Sequence, residues 1–196
     1  MITAIVGSLR RDSLNRQLAL EAKQIIGDQA EFQLLYYDDV PMMNQDIEYP
    51  APDSVSRVRK IVKESDGIWF FTPEYNHSVP GVLKNLIDWL SRPISESESQ
   101  VLSGKPAAIS GITPGISGTG IVQDHLVALI SLLNIKVMNR PRLTIPNAMQ
   151  QTNQNGQLAL DVSAPYLKKQ AEAFISNILG YWSRVAEAGV PVHRNH

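Results

Sequence analysis

The stretch DGIWFFTPEYNHSVPGVLKNLIDWLSRP, residues 66–93, says most about the architecture of this chain. Residues 68–71 are β-branched and aromatic, which is typical of a strand buried on both faces of a parallel sheet. The polar segment 72–81 then contains two prolines and a glycine, and apolar residues recur at helical spacing until Pro93. The stretch therefore predicts a central strand, a polar loop and a helix.

The same order of strand, loop and helix recurs along the chain. Pro141 predicts that the last strand is interrupted or lies at an edge. A helical stripe follows each strand, and this alternation is typical of a doubly wound α/β sheet. Apolar runs predict five parallel strands, at residues 2–6, 32–37, 68–71, 105–110 and within 136–145.

Several finer features follow from the pattern. Asp53 or Ser54 is expected to cap the second helix, and residues 146–162 are expected to form a loop with one short hairpin. Residues 1–196 are predicted to form a single domain. The pattern alone allows two strand orders, the flavodoxin-like order 2-1-3-4-5 or half of a dinucleotide-binding fold.

Composition excludes several classes of function. The chain has 18 basic and 19 acidic residues, so no strong field favours nucleic acid or an anionic membrane as a partner. It contains no cysteine, which excludes thiolate chemistry and leaves redox chemistry to a cofactor. No apolar run approaches the length of a membrane span, and no signal peptide is visible, so a cytoplasmic location is expected.

The loop after the first strand, GSLRRDSLN at residues 7–15, has the composition of a phosphate site. It has one glycine where the dinucleotide fingerprint needs three, and it lacks the Gly-Lys-Ser/Thr ending of a P-loop. Hydroxyls, guanidinium groups and the N–H groups of a helix start can together bind a terminal phosphate. The alternative is that Ser13 only caps the helix and the arginines are solvated. The polar side chains concerned are Ser8, Arg10, Arg11, Ser13 and Asn15.

The loops after the third and fourth strands suit a planar ring. Tyr75 and Asn76 offer an aromatic face and an amide, although packing and turn formation explain them equally well. Glu74 is either a base or a tether for its loop, and His77 is expected to be exposed or locally hydrogen-bonded rather than catalytic. Glycines at positions 111, 115, 118 and 120 allow backbone N–H groups to approach a flat ligand.

Taken together, GSLR with Ser13 and Asn15, followed by PEYNHSVPGVLKN and Asp88-Trp89, resembles the NADPH-dependent FMN reductases. That family includes bacterial quinone and chromate reductases and azoreductase-like enzymes. The resemblance covers residues 2 to about 135, and the Pro-Glu-Tyr-Asn segment is its specific part. It implies a flavodoxin-like sheet, bound FMN, NADPH or NADH as co-substrate, and a homodimer or homotetramer.

The resemblance also implies which residues contact the cofactor. In the first loop these are Ser8, Arg10, Ser13, Leu14 and Asn15, all but Leu14 around the phosphate. The isoalloxazine ring would be bordered on one side by Pro73, Glu74, Tyr75 and Asn76, and on the other by Ser110 and Gly111. The intervening residues 112–114 depart from the serine- or glycine-rich loop common in the family.

The leading hypothesis is an FMN-dependent NAD(P)H oxidoreductase that passes electrons to quinones or to similar acceptors such as flavins, chromate or azo compounds. The flavin carries such chemistry, so no catalytic side chain and no metal is expected. The alternative is a flavodoxin-type electron carrier that binds protein partners. A hydrolase on the same sheet would need a nucleophile elbow, which the sequence lacks.

Overall fold

The computed structural model describes residues 1–189 and contains a parallel sheet with helices on both faces. The predicted single domain extends to residue 196, so its last part, residues 190–196, lies outside the described residues. The strands are β1 Ile2–Val6, β2 Phe32–Leu34, β3 Gly67–Phe71, β4 Pro106–Ile112, β5 Lys136–Val137 and β6 Leu143–Ile145. The helices are α1 Leu14–Ile26, α2 Asp53–Glu64, α3 Gly81–Leu90, α4 Gly120–Ser131 and α5 Ala164–Glu187.

The strand order is β2-β1-β3-β4-β5, with every pair parallel. This is the flavodoxin-like order, and it decides against half of a dinucleotide-binding fold. β5 pairs with the start of β4, and β6 pairs with its end. The fifth position of the sheet is thus shared by two short strands on either side of Pro141, which confirms the predicted interruption.

The central strand β3 is covered on both faces, as its continuous apolar run predicts. Trp69 and Phe71 point towards α1 and α5, and the Trp69 ring lies 5.5 Å from the ring of Phe174. Ile68 and Phe70 point the other way, into the core formed with α2, α3 and α4. Because all four side chains are fully buried, the strand fixes the two helical layers on either side of it.

The structure departs from the predictions in β2, in β4, which spans Pro106–Ile112 rather than ending at residue 110, and at the start of α2. β2 ends at Leu34, and the last backbone hydrogen bond on this side is from the Leu35 N–H to the Ala4 carbonyl oxygen at 2.9 Å. The buried Tyr37 hydroxyl then donates to the Val6 carbonyl oxygen at 2.6 Å. The predicted cap of α2 is wrong, since the helix begins at Asp53 itself and Pro52 precedes it without a side-chain cap. The expected hairpin is present as an antiparallel bridge between Thr152 and Leu158.

Helix length and hydropathy bear on membrane association. Within residues 1–189, no helix combines the length and the apolar character that crossing a bilayer requires.

Candidate cofactor-binding site

Three loops meet at the carboxyl edge of the sheet because their strands end in register. Val6 pairs with Phe71, and Phe71 pairs with Ser110, so the residues that follow them lie side by side. We name the loops after their strands: loop 1 is residues 7–13, loop 3 is residues 72–80 and loop 4 is residues 113–119. In an open α/β sheet this edge is where ligands bind.

Two glycines, Gly7 at the start of loop 1 and Gly111 near the end of β4, allow this close approach. A Cβ atom on Gly7 would lie 2.8 Å from the Thr72 hydroxyl oxygen. A Cβ atom on Gly111 would lie 2.3 Å from the Thr119 hydroxyl oxygen and 2.5 Å from the Thr72 carbonyl oxygen. A side chain at Gly111 would therefore push loop 3 and loop 4 apart.

Loop 1 leads into the N-terminus of α1. Ser13 is the N-cap residue, and its hydroxyl accepts from the Arg16 N–H at 3.4 Å. Leu14 and Asn15 begin the first turn, where backbone N–H groups have no partner within the helix. Ser8 is half-buried and Arg10 is exposed on the same loop. The structure therefore brings together four of the predicted phosphate-site residues and Leu14.

Asn15 has a further contact that the sequence did not reveal. Its side-chain Nδ2 donates to the Ile112 carbonyl oxygen at 2.9 Å, and the Ile112 N–H donates to its Oδ1 at 3.1 Å. This buried pair of hydrogen bonds joins the start of α1 to the end of β4. The Asn15 side-chain amide is engaged by the backbone of Ile112, so any contact from Asn15 to an anion would have to come from its backbone N–H group.

Loop 3 turns tightly beyond Pro73, which is buried. Tyr75 and Ser78 exchange two backbone hydrogen bonds of 3.3 and 3.0 Å. The two residues between them, Asn76 and His77, both have positive φ, as the central residues of a type I′ turn require. The Tyr75 ring is half exposed, and its hydroxyl donates to the Ser8 oxygen at 3.4 Å, which places an aromatic face between loop 1 and loop 3.

Glu74 joins loop 3 to the N-terminus of α4. Its side chain is only 5% exposed, and Oε2 accepts from the Val122 N–H at 3.1 Å. Oε1 accepts from the Ser117 hydroxyl at 3.0 Å and lies 3.1 Å from His77 Nδ1. Burial raises the pKa of Glu74, but the hydrogen bonds from Val122, Ser117 and His77 together outweigh it and leave the pKa below its ordinary value.

These contacts answer the question that the sequence left open for loop 3. The Glu74 carboxylate is ionised and fully engaged, so it acts as a tether rather than as a base. The side chain of His77 is 73% exposed and hydrogen-bonds only within this cluster, which confirms the expectation for that residue. Sequence spacing gave no signal for Ser117 or Val122, because both lie more than 40 residues from Glu74.

The side chain of Ser110 does not face the crevice where the predicted ring site lies. Its hydroxyl is fully buried, accepts from Trp69 Nε1 at 2.8 Å and donates to Gln170 Oε1 at 2.6 Å. This network faces α5 and not the crevice between the loops. Any contact from position 110 to a cofactor would have to come from the backbone.

Loop 4 is fastened on its far side by the segment that follows β6. The Asn147 N–H donates to the Gly115 carbonyl oxygen, and the Ala148 N–H donates to the Thr113 carbonyl oxygen, both at 3.0 Å. Gly118 and Thr119 have φ of 62° and 73°, so the backbone turns sharply just before α4. Among the described residues, no cluster of three or more His, Asp or Glu side chains is arranged to hold a metal ion.

Comparison with known proteins places this geometry in a family. The sequence model of the NADPH-dependent FMN reductases matches residues 1–150. A 2-hydroxy-1,4-benzoquinone reductase from Burkholderia sp is 37% identical over 167 residues, covering 85% of this chain and 90% of the relative. An NAD(P)H-dependent FMN reductase from Pseudomonas aeruginosa is 35% identical, covering 88% of this chain and 91% of that protein.

Solved structures give a consistent result. The flavoenzyme NAD(P)H:(acceptor) oxidoreductase FerB from Paracoccus denitrificans aligns with a TM-score of 0.82 and 33% identity, covering 92% of this chain and 97% of that chain. An oxidised flavodoxin 1 from Bacillus cereus aligns with a TM-score of 0.58 at 15% identity, covering 89% and 97%, and shares the fold alone. On the family match over residues 1–150 and these relatives, the chain belongs to the NADPH-dependent FMN reductase family.

Proposed function

We propose that this protein transfers hydride from NAD(P)H through FMN to a quinone or a similar small acceptor in a ping-pong reaction. As a family member the chain is an oxidoreductase with FMN as cofactor and NAD(P)H as reductant. The observation that supports the proposal most directly is the meeting of three loops at one edge of the sheet. There the Tyr75–Ser8 hydrogen bond links an aromatic face on loop 3 to loop 1, which leads into the N-terminus of α1.

The donor set around the start of α1 fits a phosphate monoester. The N–H groups of Leu14 and Asn15 and the positive end of the helix dipole would stabilise a dianion. Arg10 would add a charge-assisted pair of hydrogen bonds, and the hydroxyls of Ser8 and Ser13 complete the set. No carboxylate from loop 3 opposes the anion, since Glu74 is held at the start of α4.

The space beyond Tyr75 fits a planar ring. Pro73 and the tight turn at Asn76 keep loop 3 stiff, and the Glu74 tether holds loop 4 opposite it. When bound there, FMN supplies the redox chemistry, accepting a hydride and passing two electrons on. The residues of this chain would bind and orient the ring, and backbone N–H groups of loop 4 near Gly118 would favour negative charge on it.

An equilibrium titration with FMN and a steady-state assay test the proposal. We expect FMN to bind at micromolar concentration or tighter, and NAD(P)H oxidation with a quinone to give parallel double-reciprocal lines. Donor and acceptor use one face of the ring in turn, which is why the kinetics should be ping-pong. Absence of FMN binding, or intersecting lines with both NADH and NADPH, would count against it.

Acceptor identity distinguishes this proposal from a flavodoxin-type carrier. The relatives in the comparisons are named as quinone, hydroxybenzoquinone and FMN reductases, and the likeness to flavodoxins concerns the fold alone. Quinones are therefore proposed first, with flavins, chromate and azo compounds as further acceptors. A carrier would show no turnover with NADH or NADPH and a free quinone.

Assembly and location belong to the same proposal. Tyr75 on loop 3 and Ile116 on loop 4 are 50% and 88% exposed, and large apolar side chains of this kind are typical of a contact between subunits. We expect a homodimer or homotetramer, which light scattering after size-exclusion chromatography measures directly. We also propose a cytoplasmic location, where NAD(P)H is available as reductant.

A further inference from the structure

A cleft of about 210 Å³ lies beside loop 1, over the ends of β1 and β2. It is formed between loop 1, the first turn of α1 and the chain that follows β2. No residue of loop 3 or loop 4 lines it, so it is distinct from the ring site although it shares Ser8 and Arg10 with the phosphate site. Its other polar lining residues are Arg11, Arg16, Tyr36, Tyr37 and Asp38.

The charges in this cleft favour an anion. Arg10, Arg11 and Arg16 line it, against the single carboxylate of Asp38. Within residues 1–189, none of these three arginines forms a salt bridge. The FMN phosphate would engage Arg10, which leaves two guanidinium groups for a second anionic group.

The wall opposite loop 1 is aromatic. The Tyr36 ring is 58% exposed, and the Arg16 guanidinium carbon lies 5.6 Å from its centroid. Arg16 Nη2 also donates to the Tyr36 hydroxyl at 3.4 Å. An exposed ring beside a guanidinium plane is a surface on which a nucleotide base stacks.

This wall is held in place before any ligand binds. The buried Tyr37 hydroxyl donates to the Val6 carbonyl oxygen, and Arg57 Nη1 donates to the Tyr36 carbonyl oxygen at 2.8 Å. Arg57 Nη2 also forms a salt bridge with Asp39 at 2.6 Å. Because Arg57 neutralises the Asp39 carboxylate, that carboxylate does not offset the positive charge of the cleft. The cleft is therefore a preformed cationic slot with one aromatic side.

We propose that this cleft binds the adenosine end of NADPH, with Arg11 and Arg16 on the 2′-phosphate and Tyr36 beneath the adenine, and that it selects NADPH over NADH. The inference rests on the proposed function. The cleft lies over β1 and β2 and the ring site over β3 and β4, two strand spacings or roughly 10 Å apart, which one extended dinucleotide spans.

Calorimetric titration of the FMN-saturated protein tests the assignment, because FMN then occupies the phosphate site and the probe reports on the cleft. Adenosine 2′,5′-bisphosphate should bind about 10- to 100-fold more tightly than 5′-AMP. Arg11→Ala and Arg16→Ala should each remove most of that preference. Lys23→Ala, which removes the same charge from α1 outside the cleft, should preserve it. Tyr36→Ala should weaken both nucleotides by a similar factor.

Two results would overturn the assignment. One is equal affinity for the two nucleotides in the wild-type protein, and the other is inorganic phosphate competing as well as the bisphosphate, which would mark a general anion site. The FMN dissociation constant of Arg16→Ala, measured in parallel, should stay at the wild-type value. If FMN binds and NAD(P)H is oxidised while the nucleotide preference is absent, this inference fails and the proposed function stands. If FMN does not bind, the proposed function is rejected, and this inference is rejected with it.

Discussion

Two helices, α1 and α4, begin at the same edge of the sheet and are capped in different ways. α1 is capped by Ser13, the residue that directly precedes it in the chain. α4 is preceded by Thr119, whose left-handed conformation supplies no side-chain cap. The carboxylate of Glu74 takes that place, accepting from the Val122 N–H in the first turn of α4.

The difference assigns a separate task to each helix start. The N-terminus of a helix favours one nearby anion, and at α4 the chain itself provides it. α1 has only a neutral cap, and loop 1, which leads into it, carries Arg10 and Arg11 against the single carboxylate of Asp12. The first N–H groups of α1 have no partner within the helix. A phosphate is therefore expected at α1, while α4 serves to fasten loop 3 to loop 4.

The largest expected effect comes from Gly111→Ala, which disturbs the packing of loop 3 against the start of α4. The added Cβ would lie within 2.5 Å of the Thr72 carbonyl oxygen and closer still to Thr119, so loop 3 or the start of α4 must move. We expect a loss of about 3 kcal/mol in unfolding free energy, together with weaker FMN binding. Urea unfolding and an FMN titration measure the two quantities.

Gly81→Ala is the matched control, since a Cβ at the first position of α3 meets nothing within 4 Å. It should leave stability unchanged or raise it by less than about 1 kcal/mol. If both substitutions had the same effect, the crowding between loop 3 and loop 4 would not be what constrains position 111.

The next largest effect concerns the predicted phosphate site at the N-terminus of α1. Arg10→Ala should weaken FMN by about 10- to 150-fold, because a guanidinium group on a phosphate dianion makes charge-assisted hydrogen bonds. Riboflavin, which lacks the phosphate, should lose little affinity. Fluorescence titrations with both flavins measure this, and Lys23→Ala controls for the change in net charge. An equal loss for both flavins would mean that Arg10 acts through the fold instead.

The sequence predicted the sheet well because its strands carry a strong local signal. Four adjacent apolar residues at 68–71 require burial on both faces, and Pro141 marks the break between β5 and β6. The end of β2 was missed because Tyr37 is as β-prone as its neighbours, and local propensity does not show that the backbone pairing with β1 stops after Leu35.

The site was predictable only in part, for a related reason. Position in a loop places a residue at the edge of the sheet, but it does not show where the side chain points. Ser110 lies in a strand buried on both faces, so alternation gave no sign that its hydroxyl faces Gln170. The partners of Glu74 and Asn15 are distant in sequence, and only the folded chain brings them together.

The smallest expected effect is a dependence of the Glu74 tether on pH. The folded-state pKa of Glu74 lies below its ordinary value of 4.5, so the unfolded chain takes up a proton first as the pH falls. The tether thus stabilises the fold fully above that ordinary value and is lost as the pH drops through the lowered one. Glu74→Gln should cost about 1 kcal/mol near neutral pH, and the difference from the wild type should shrink below about pH 4.5.

Glu48→Gln is the control for general acid sensitivity. Chiefly through its hydrogen bond from Arg92, the pKa of Glu48 is also lowered, but Glu48 has no contact with α4. In both variants the unfolding free energy should fall less steeply than in the wild type as the pH drops. Only Glu74→Gln should speed amide hydrogen exchange at Val122 near neutral pH. Suppose instead that the difference in unfolding free energy between Glu74→Gln and wild type stays constant from pH 7 to pH 3, with amide exchange at Val122 unchanged. That result would show that α4 does not depend on this carboxylate.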